Sequence, residues 1–314
     1  MCCLFGLIDY TDTFSSREKN KIISILSREC EARGTDATGI AFNNYGNLRI
    51  FKRPVAAHRM WYRIPNDSKV IMGHTRMTTQ GSEKFNFNNH PFKGYTDKMQ
   101  FALAHNGVLR NDITLRKSEK LPSTYIQTDS YVAVQLIEKE NALSFDSIRK
   151  MAEKTEGSFC YTILNDRNDI YFVKGDNPLA LYKFDGYYLY ASTEDILKRA
   201  LSKLNLTKYS KININCGDIL RIDRYGSIEI QQFEYSDFYT GSFLYDYYSS
   251  KYSSDSEIVD ELIEYAGYFG IDPEDIIMLM DYGYDETEIE EMLYEPIEMQ
   301  RCVSDLKIMQ RELC

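Results

Sequence analysis

The chain has 314 residues, 43% of them apolar, with 47 acidic and 37 basic side chains and a net charge of −10. This length suggests one large domain with room for a smaller module, and this apolar content excludes a chain disordered throughout. No run approaches the ~20 apolar residues of a membrane-spanning helix.

The charge is unevenly spread. Residues 253–314 hold 18 acidic and 3 basic side chains, net −15, which leaves 34 basic and 29 acidic, net +5, for the rest. Such a split marks a separate C-terminal module. The mildly basic body lacks the Lys/Arg cluster of a nucleic-acid surface. The seven cysteines are scattered, odd in number and form no C-x-x-C pair. Neither a disulfide framework nor a zinc site is suggested, and a reducing cytoplasm fits best. Asp9 interrupts the short apolar start, which argues against a signal peptide.

In chain order, a strand-like run, Leu4-Phe5-Gly6-Leu7-Ile8, follows Cys2 at once. Asp12 or Thr13 opens a helix to about Arg33, with Ile22, Ile23, Leu26 and Cys30 near helical spacing. Gly39 to Phe42 reads as a strand, and Asn44-Tyr-Gly-Asn47 as a turn. Lys69 to Gly73 and Met99 to His105 read as buried strands. Gln127 to Glu138 reads as a helix that begins near Thr128 or Asp129. Residues 157–182 give two strands joined at Asn165-Asp-Arg-Asn168, and Tyr187 to Ser192 another. Thr193 caps a further helix, and Asp218 to Ile222 and Ser227 to Ile230 close the body. Strands on both sides of helices give an α+β fold. Residues 236–254, rich in Tyr and Ser, read as a linker or strap. Residues 255–314 read as three helices, the second entered at Asp272-Pro273 and stopped near Gly283. Met278, Leu279, Met280, Tyr284, Ile289, Met292 and Leu293 are its expected core.

Cys2 carries the first chemical signal. Met1 is normally removed when the next residue is as small as cysteine, leaving a thiol and a free α-amine on one residue. Both groups titrate near neutrality, so the residue is a nucleophile with its own base. The plain alternative is a small apolar residue at a chain start.

Further runs join it in order: Arg33-Gly-Thr-Asp-Ala-Thr-Gly39, Gly73-His-Thr-Arg-Met-Thr-Thr-Gln-Gly81, Asn88-Asn-His-Pro-Phe92, Ala104-His-Asn-Gly107 and Thr128-Asp-Ser130. Asn177-Pro-Leu, Ala191-Ser-Thr-Glu and Gly217 to Ile222 follow. The ordered set, over residues 2–235, resembles the glutamine-hydrolysing domain of class II glutamine amidotransferases. That family of N-terminal nucleophile hydrolases includes the glutaminase halves of glucosamine-6-phosphate synthase and PRPP amidotransferase. The resemblance implies a four-layer αββα sandwich with Cys2 as nucleophile. It implies an oxyanion hole from the Asn106 side chain and the Gly107 N–H. It also implies that Arg76 holds the glutamine α-carboxylate, with Thr79 beside it, and that Asp129 holds the α-ammonium. Arg33 and His74 are expected to support the site from behind. No metal and no cofactor is implied.

Each residue has a plainer reading: Arg76 as a strand-end charge, Asp129 as a helix cap, Asn106-Gly107 as a hairpin turn. Two departures stand out. Cys3 takes a place where glycine is common, and Met77 a place where synthases often have a large aromatic. The ~75 residues after the body are too few for a fused synthase domain. The expectation is therefore a stand-alone glutaminase, with glutamine as substrate and a separate synthase docked through residues 255–314. The alternatives are a hydrolase of another γ-glutamyl compound and a non-catalytic regulatory protein on the same fold.

Overall fold

A computed structural model describes residues 2–235 and 271–284, with 288–289, 292, 299, 301–304 and 306–307. The chain divides into two compact units after Ser236. In the first unit the strands are β1 (Cys3–Asp9), β2 (Ala37–Asn44), β3 (Asn47–Arg53), β4 (Val70–Arg76), β5 (Phe92–Thr96), β6 (Met99–Leu109), β7 (Gly157–Asn165), β8 (Ile170–Lys174), β9 (Ala180–Lys183), β10 (Tyr187–Ala191), β11 (Ser210–Ile212), β12 (Asp218–Ile222) and β13 (Ile228–Gln232). Its helices are α1 (Ser16–Glu29), α2 (Asp112–Ser118), α3 (Tyr131–Glu140), α4 (Phe145–Lys154) and α5 (Glu194–Leu204).

The strands form two antiparallel sheets, ordered β11-β9-β10-β1-β4-β2-β3 and β13-β12-β8-β7-β6-β5. Strand side chains alternate between faces, and the buried clusters follow that period. Leu4, Ile8, Val70 and Met72 from the first sheet share one core with Ala102, Ala104, Cys160, Leu164 and Phe172 from the second. The two sheets therefore face each other. Phe5, Leu7 and Ile71, on the opposite face of the first sheet, pack with Ile23 and Leu26 of α1 and with Leu197 and Ala200 of α5. Phe101, Leu103 and Phe159 of the second sheet pack with Val132 and Leu136 of α3 and with Ile148 and Met151 of α4. The expected α+β class and its pair of sheets are present.

Several boundaries differ from the sequence reading. The first helix starts after Ser15, not at Asp12 or Thr13. The Asp9 carboxylate accepts from the Thr13 and Phe14 N–H groups, and Asp12 turns to φ 57°, so the chain folds back before the helix can begin. Ser15 and Glu18 then form a capping box. The helix of 127–138 starts only at Tyr131. The segment 157–182 holds three strands, β7, β8 and β9. Strands β3, β5 and β11 and helices α2 and α4 were not anticipated. Asn106 and Gly107 lie inside β6, opposite Cys160 and Phe159, and form no hairpin turn.

In the second unit, α6 (Pro273–Asp281) has Asp272 as its N-cap and Pro273 in its first turn, as expected, and Gly283 follows at φ 100°. Ile276, Leu279, Ile289, Met299, Val303 and Leu306 form one buried cluster, with Met278, Met280, Tyr284 and Met292 against it. The expected linker 236–254 and first tail helix, and Leu293, lie outside the described residues. Among the described residues no helix is long and apolar enough to cross a membrane.

Candidate active site

The alternation that builds the inter-sheet core also aims the site. Cys2 lies two residues before Leu4, and His74 and Arg76 lie two and four after Met72. The register Cys3↔Thr75 sets Cys2 opposite Arg76. On β6, Asn106 follows Ala104 by two. One end of the sheet pair thus gathers a thiol, a guanidinium and an amide from three strands on the inner faces.

Cys2, Arg76, Thr79, Gly107 and Asp129 line a single cleft of about 250 Å³, its open mouth included. Met77, Gln80, His90, His105, Thr128 and Ser130 complete its wall. Asn106 precedes Gly107 of the lining and is not itself a lining residue. It is buried, and its Nδ2 has no hydrogen-bond partner. Its backbone carbonyl accepts from Asn177 Nδ2 at 3.2 Å.

The Cys2 thiol donates to the Met77 carbonyl at 3.4 Å. Burial pushes this thiol above its ordinary value. Arg33 Nε donates to the Cys2 carbonyl at 3.0 Å, fixing the backbone beneath the thiol. Gly34 lets that turn pass the end of β4, because a Cβ there would lie 2.5 Å from the Arg76 carbonyl carbon.

Arg76 is buried and braced by its neighbours. It donates to Asn89 Oδ1 at 2.7 Å and to the Gln80 and Gly81 carbonyls at 2.6 and 2.9 Å. Asn89 Nδ2 donates in turn to the Glu83 carbonyl, and Asn88 bonds both Ser82 and Gln127. The Asn88-Asn89 pair therefore holds the 77–83 segment and the guanidinium in one frame. Burial lowers the Arg76 pKa, opposed by the nearby Cys2 and Asp129.

Asp129 does not cap α3. Its Oδ2 accepts from the Leu109 N–H at 2.7 Å and its Oδ1 from the Ser130 hydroxyl at 3.1 Å. This placement explains why the helix begins later than the apolar pattern suggests. His74 Nε2 lies 2.9 Å from the His105 carbonyl, a bond from one sheet to the other. Burial lowers its pKa to about 3, so the ring is neutral and Nε2 carries the proton it donates.

Gly107 has φ 146°, and a Cβ there would lie 1.9 Å from the Ser158 carbonyl oxygen. Only glycine fits. Cys3 is buried on the outer face of β1 among the α1 and α5 contacts. Met77 is half exposed and meets the cleft. Sequence reasoning did not single out Ser130, Asn89 or Asn177, whose roles arise from contacts distant in the chain, or assign a role to His105.

Facing antiparallel sheets flanked by helices, with a cysteine just before a central strand, are consistent with the fold of N-terminal nucleophile hydrolase domains. Known proteins agree with that class. Glutamine–fructose-6-phosphate aminotransferase of Staphylococcus epidermidis is 28% identical over 243 residues, 74% of this chain and 38% of the relative. The enzyme of the same name from Geobacillus kaustophilus is 31% identical over 201 residues, 61% of this chain and 32% of the relative. The solved structure of glutamine phosphoribosylpyrophosphate amidotransferase from B. subtilis matches with a TM-score of 0.60 at 19% identity, covering 74% of this chain and 49% of that one. No family model matches the chain. This chain spans about a third of the length of these curated relatives. Its body is similar to the glutamine amidotransferase domains of these enzymes, which are of class II.

Proposed function

We propose that the chain, once Met1 is removed, hydrolyses the side-chain amide of glutamine to glutamate and ammonia. The observation that carries this reading is the meeting of Cys2, Arg76 and Asp129, from three distant segments, in one cleft. In this scheme the α-amine freed at Cys2 takes the thiol proton, directly or through water, and the thiolate attacks the amide carbon. The Gly107 N–H and the unpartnered Asn106 Nδ2 receive the charge that develops on the oxygen. The α-amine returns the proton to the departing ammonia, and water then cleaves the γ-glutamyl thioester to release glutamate and regenerate the thiol. Arg76 pairs with the α-carboxylate and Asp129 with the α-ammonium, which selects a free amino acid over other amides. Thr79 lies beside the carboxylate. Arg33 and His74 hold the Cys2 backbone and the β6 strand from behind. The ammonia passes to an acceptor, and the acidic residues 255–314 are the candidate surface for a partner protein, on the strength of their excess negative charge.

The test is release of glutamate and ammonia from glutamine by protein whose intact mass establishes loss of Met1. Processed protein that releases neither sinks the reading. Arg76→Lys is expected to raise the KM for glutamine about 10- to 100-fold with a smaller change in kcat. Lysine lacks the planar fork and leaves the Asn89 and Gly81 acceptors poorly served. Steady-state kinetics checks this; an unchanged KM would remove Arg76 from substrate recognition.

A further inference from the structure

Two buried polar residues of the cleft wall, His105 and Ser130, have no part in the scheme above, yet they are joined to Asp129 by a continuous hydrogen-bond chain. His105 Nδ1 lies 2.8 Å from Ser130 Oγ, and Ser130 Oγ donates to Asp129 Oδ1 at 3.1 Å. Ser130 has one hydroxyl hydrogen, and the carboxylate can only accept. The hydroxyl therefore donates to Asp129 and accepts from His105 Nδ1–H. The neutral tautomer with its proton on Nδ1 completes the chain, while Nε2 lies 3.4 Å from the Ser158 carbonyl, a long contact in which only the other tautomer donates. Burial holds the His105 pKa below its ordinary value, in keeping with a neutral ring. The ring stacks on Tyr161 at 4.6 Å, which keeps it from turning.

The chain opposes a competing geometry. α3 has no side-chain cap hydrogen bond at its N-terminus. An aspartate next to such an end is drawn toward its positive pole, although the Val132 and Ala133 N–H groups already bond the Asp129 and Ser130 carbonyls. The Leu109 N–H on one oxygen and Ser130 on the other pull the carboxylate away from the helix and leave lone pairs for the cleft.

We propose that Ser130 and His105 are positioning residues that aim the Asp129 carboxylate at the substrate's α-ammonium. The inference rests on the glutamine reading of the cleft. It implies a loss specific to ligands that carry the ammonium.

The test uses full-length protein in a Cys2→Ala background, where binding is read apart from turnover. Isothermal titration compares glutamine with glutaramate, which is glutamine without its α-amino group. Ser130→Ala is expected to weaken glutamine binding about tenfold and to leave glutaramate binding within about twofold. Ser130→Thr restores glutamine binding because it keeps the hydroxyl. His105→Phe keeps the stack on Tyr161, loses the donor, and gives the same pattern at about threefold. It also carries the test if Ser130→Ala does not fold. Equal weakening of both ligands, or no weakening of glutamine, overturns the proposal. Failure of the Cys2→Ala protein to bind glutamine overturns it together with the recognition reading. The expected binding pattern beside a processed Cys2 protein that releases no glutamate upholds the positioning role and rejects the hydrolysis.

Discussion

Replacing Cys2 with alanine is expected to lower glutamate release by about 10⁴-fold or more and to shift the melting temperature by no more than about 2 °C. The two halves of this expectation have separate causes. The rate falls because no other group in the cleft can form the thioester. Arg76 is a cation, the other side chains of the wall carry no thiol, and its histidines are neutral and buried. The stability holds because the thiol makes one weak bond, to the Met77 carbonyl at 3.4 Å. The Arg33 contact is to the Cys2 backbone and survives the change. A raised thiol pKa means that less thiolate is present at neutral pH, so direct alkylation of Cys2 should speed up as pH rises. A chain extended at its N-terminus should lose about as much activity as Cys2→Ala, because its Cys2 nitrogen is an amide and no base. An enzyme assay with a thermal melt checks both halves. An alanine variant that keeps more than about a hundredth of the activity would move the nucleophile elsewhere.

What the sequence made legible, and what it did not, divides by the range of the interactions. Arg76 and Asn106 lie on strands, and Cys2 just before one, whose unbroken apolar runs are plain in the chain; both faces of those strands are buried, so the face each side chain takes follows from the two sheets meeting and not from the sequence. The α5 start was readable because Thr193 caps it with a local bond to the Ile196 N–H. The α1 start was misread because Asp9 reaches forward to Thr13 and Phe14 from the end of a strand, a contact with no helical spacing. The α3 start was misread for a reason tied to the site. Thr128 and Asp129 look like helix-entry residues, but Leu109, twenty residues earlier, takes the aspartate away. Helix α4 does carry a local signal: Ser144 and Ser147 form a capping box ahead of Ile148 and Met151. The frame around Arg76 had no such local signal, since Asn89 is thirteen residues from the guanidinium it holds.

Asn106→Ala is expected to cut kcat for glutamine about 10²- to 10³-fold while leaving the melting temperature unchanged or slightly higher. A buried amide donor without a partner costs folding free energy, about 1–3 kcal/mol when it is fully desolvated. Asn106 Nδ2 is such a donor, in a core where most buried polar groups are paired. Truncation removes that cost at the expense of a few packing contacts. The strand itself stays anchored, because the Asn177 bond is to the Asn106 backbone carbonyl and the Gly107 geometry is independent of the side chain. If Nδ2 receives the oxyanion, the donor gains its partner only in the transition state, so its removal should appear in kcat and hardly in KM. Steady-state kinetics beside thermal denaturation separates the outcomes. A variant that loses activity and stability together would make Asn106 a structural residue. One that keeps its rate would leave the Gly107 N–H to stabilise the intermediate without it.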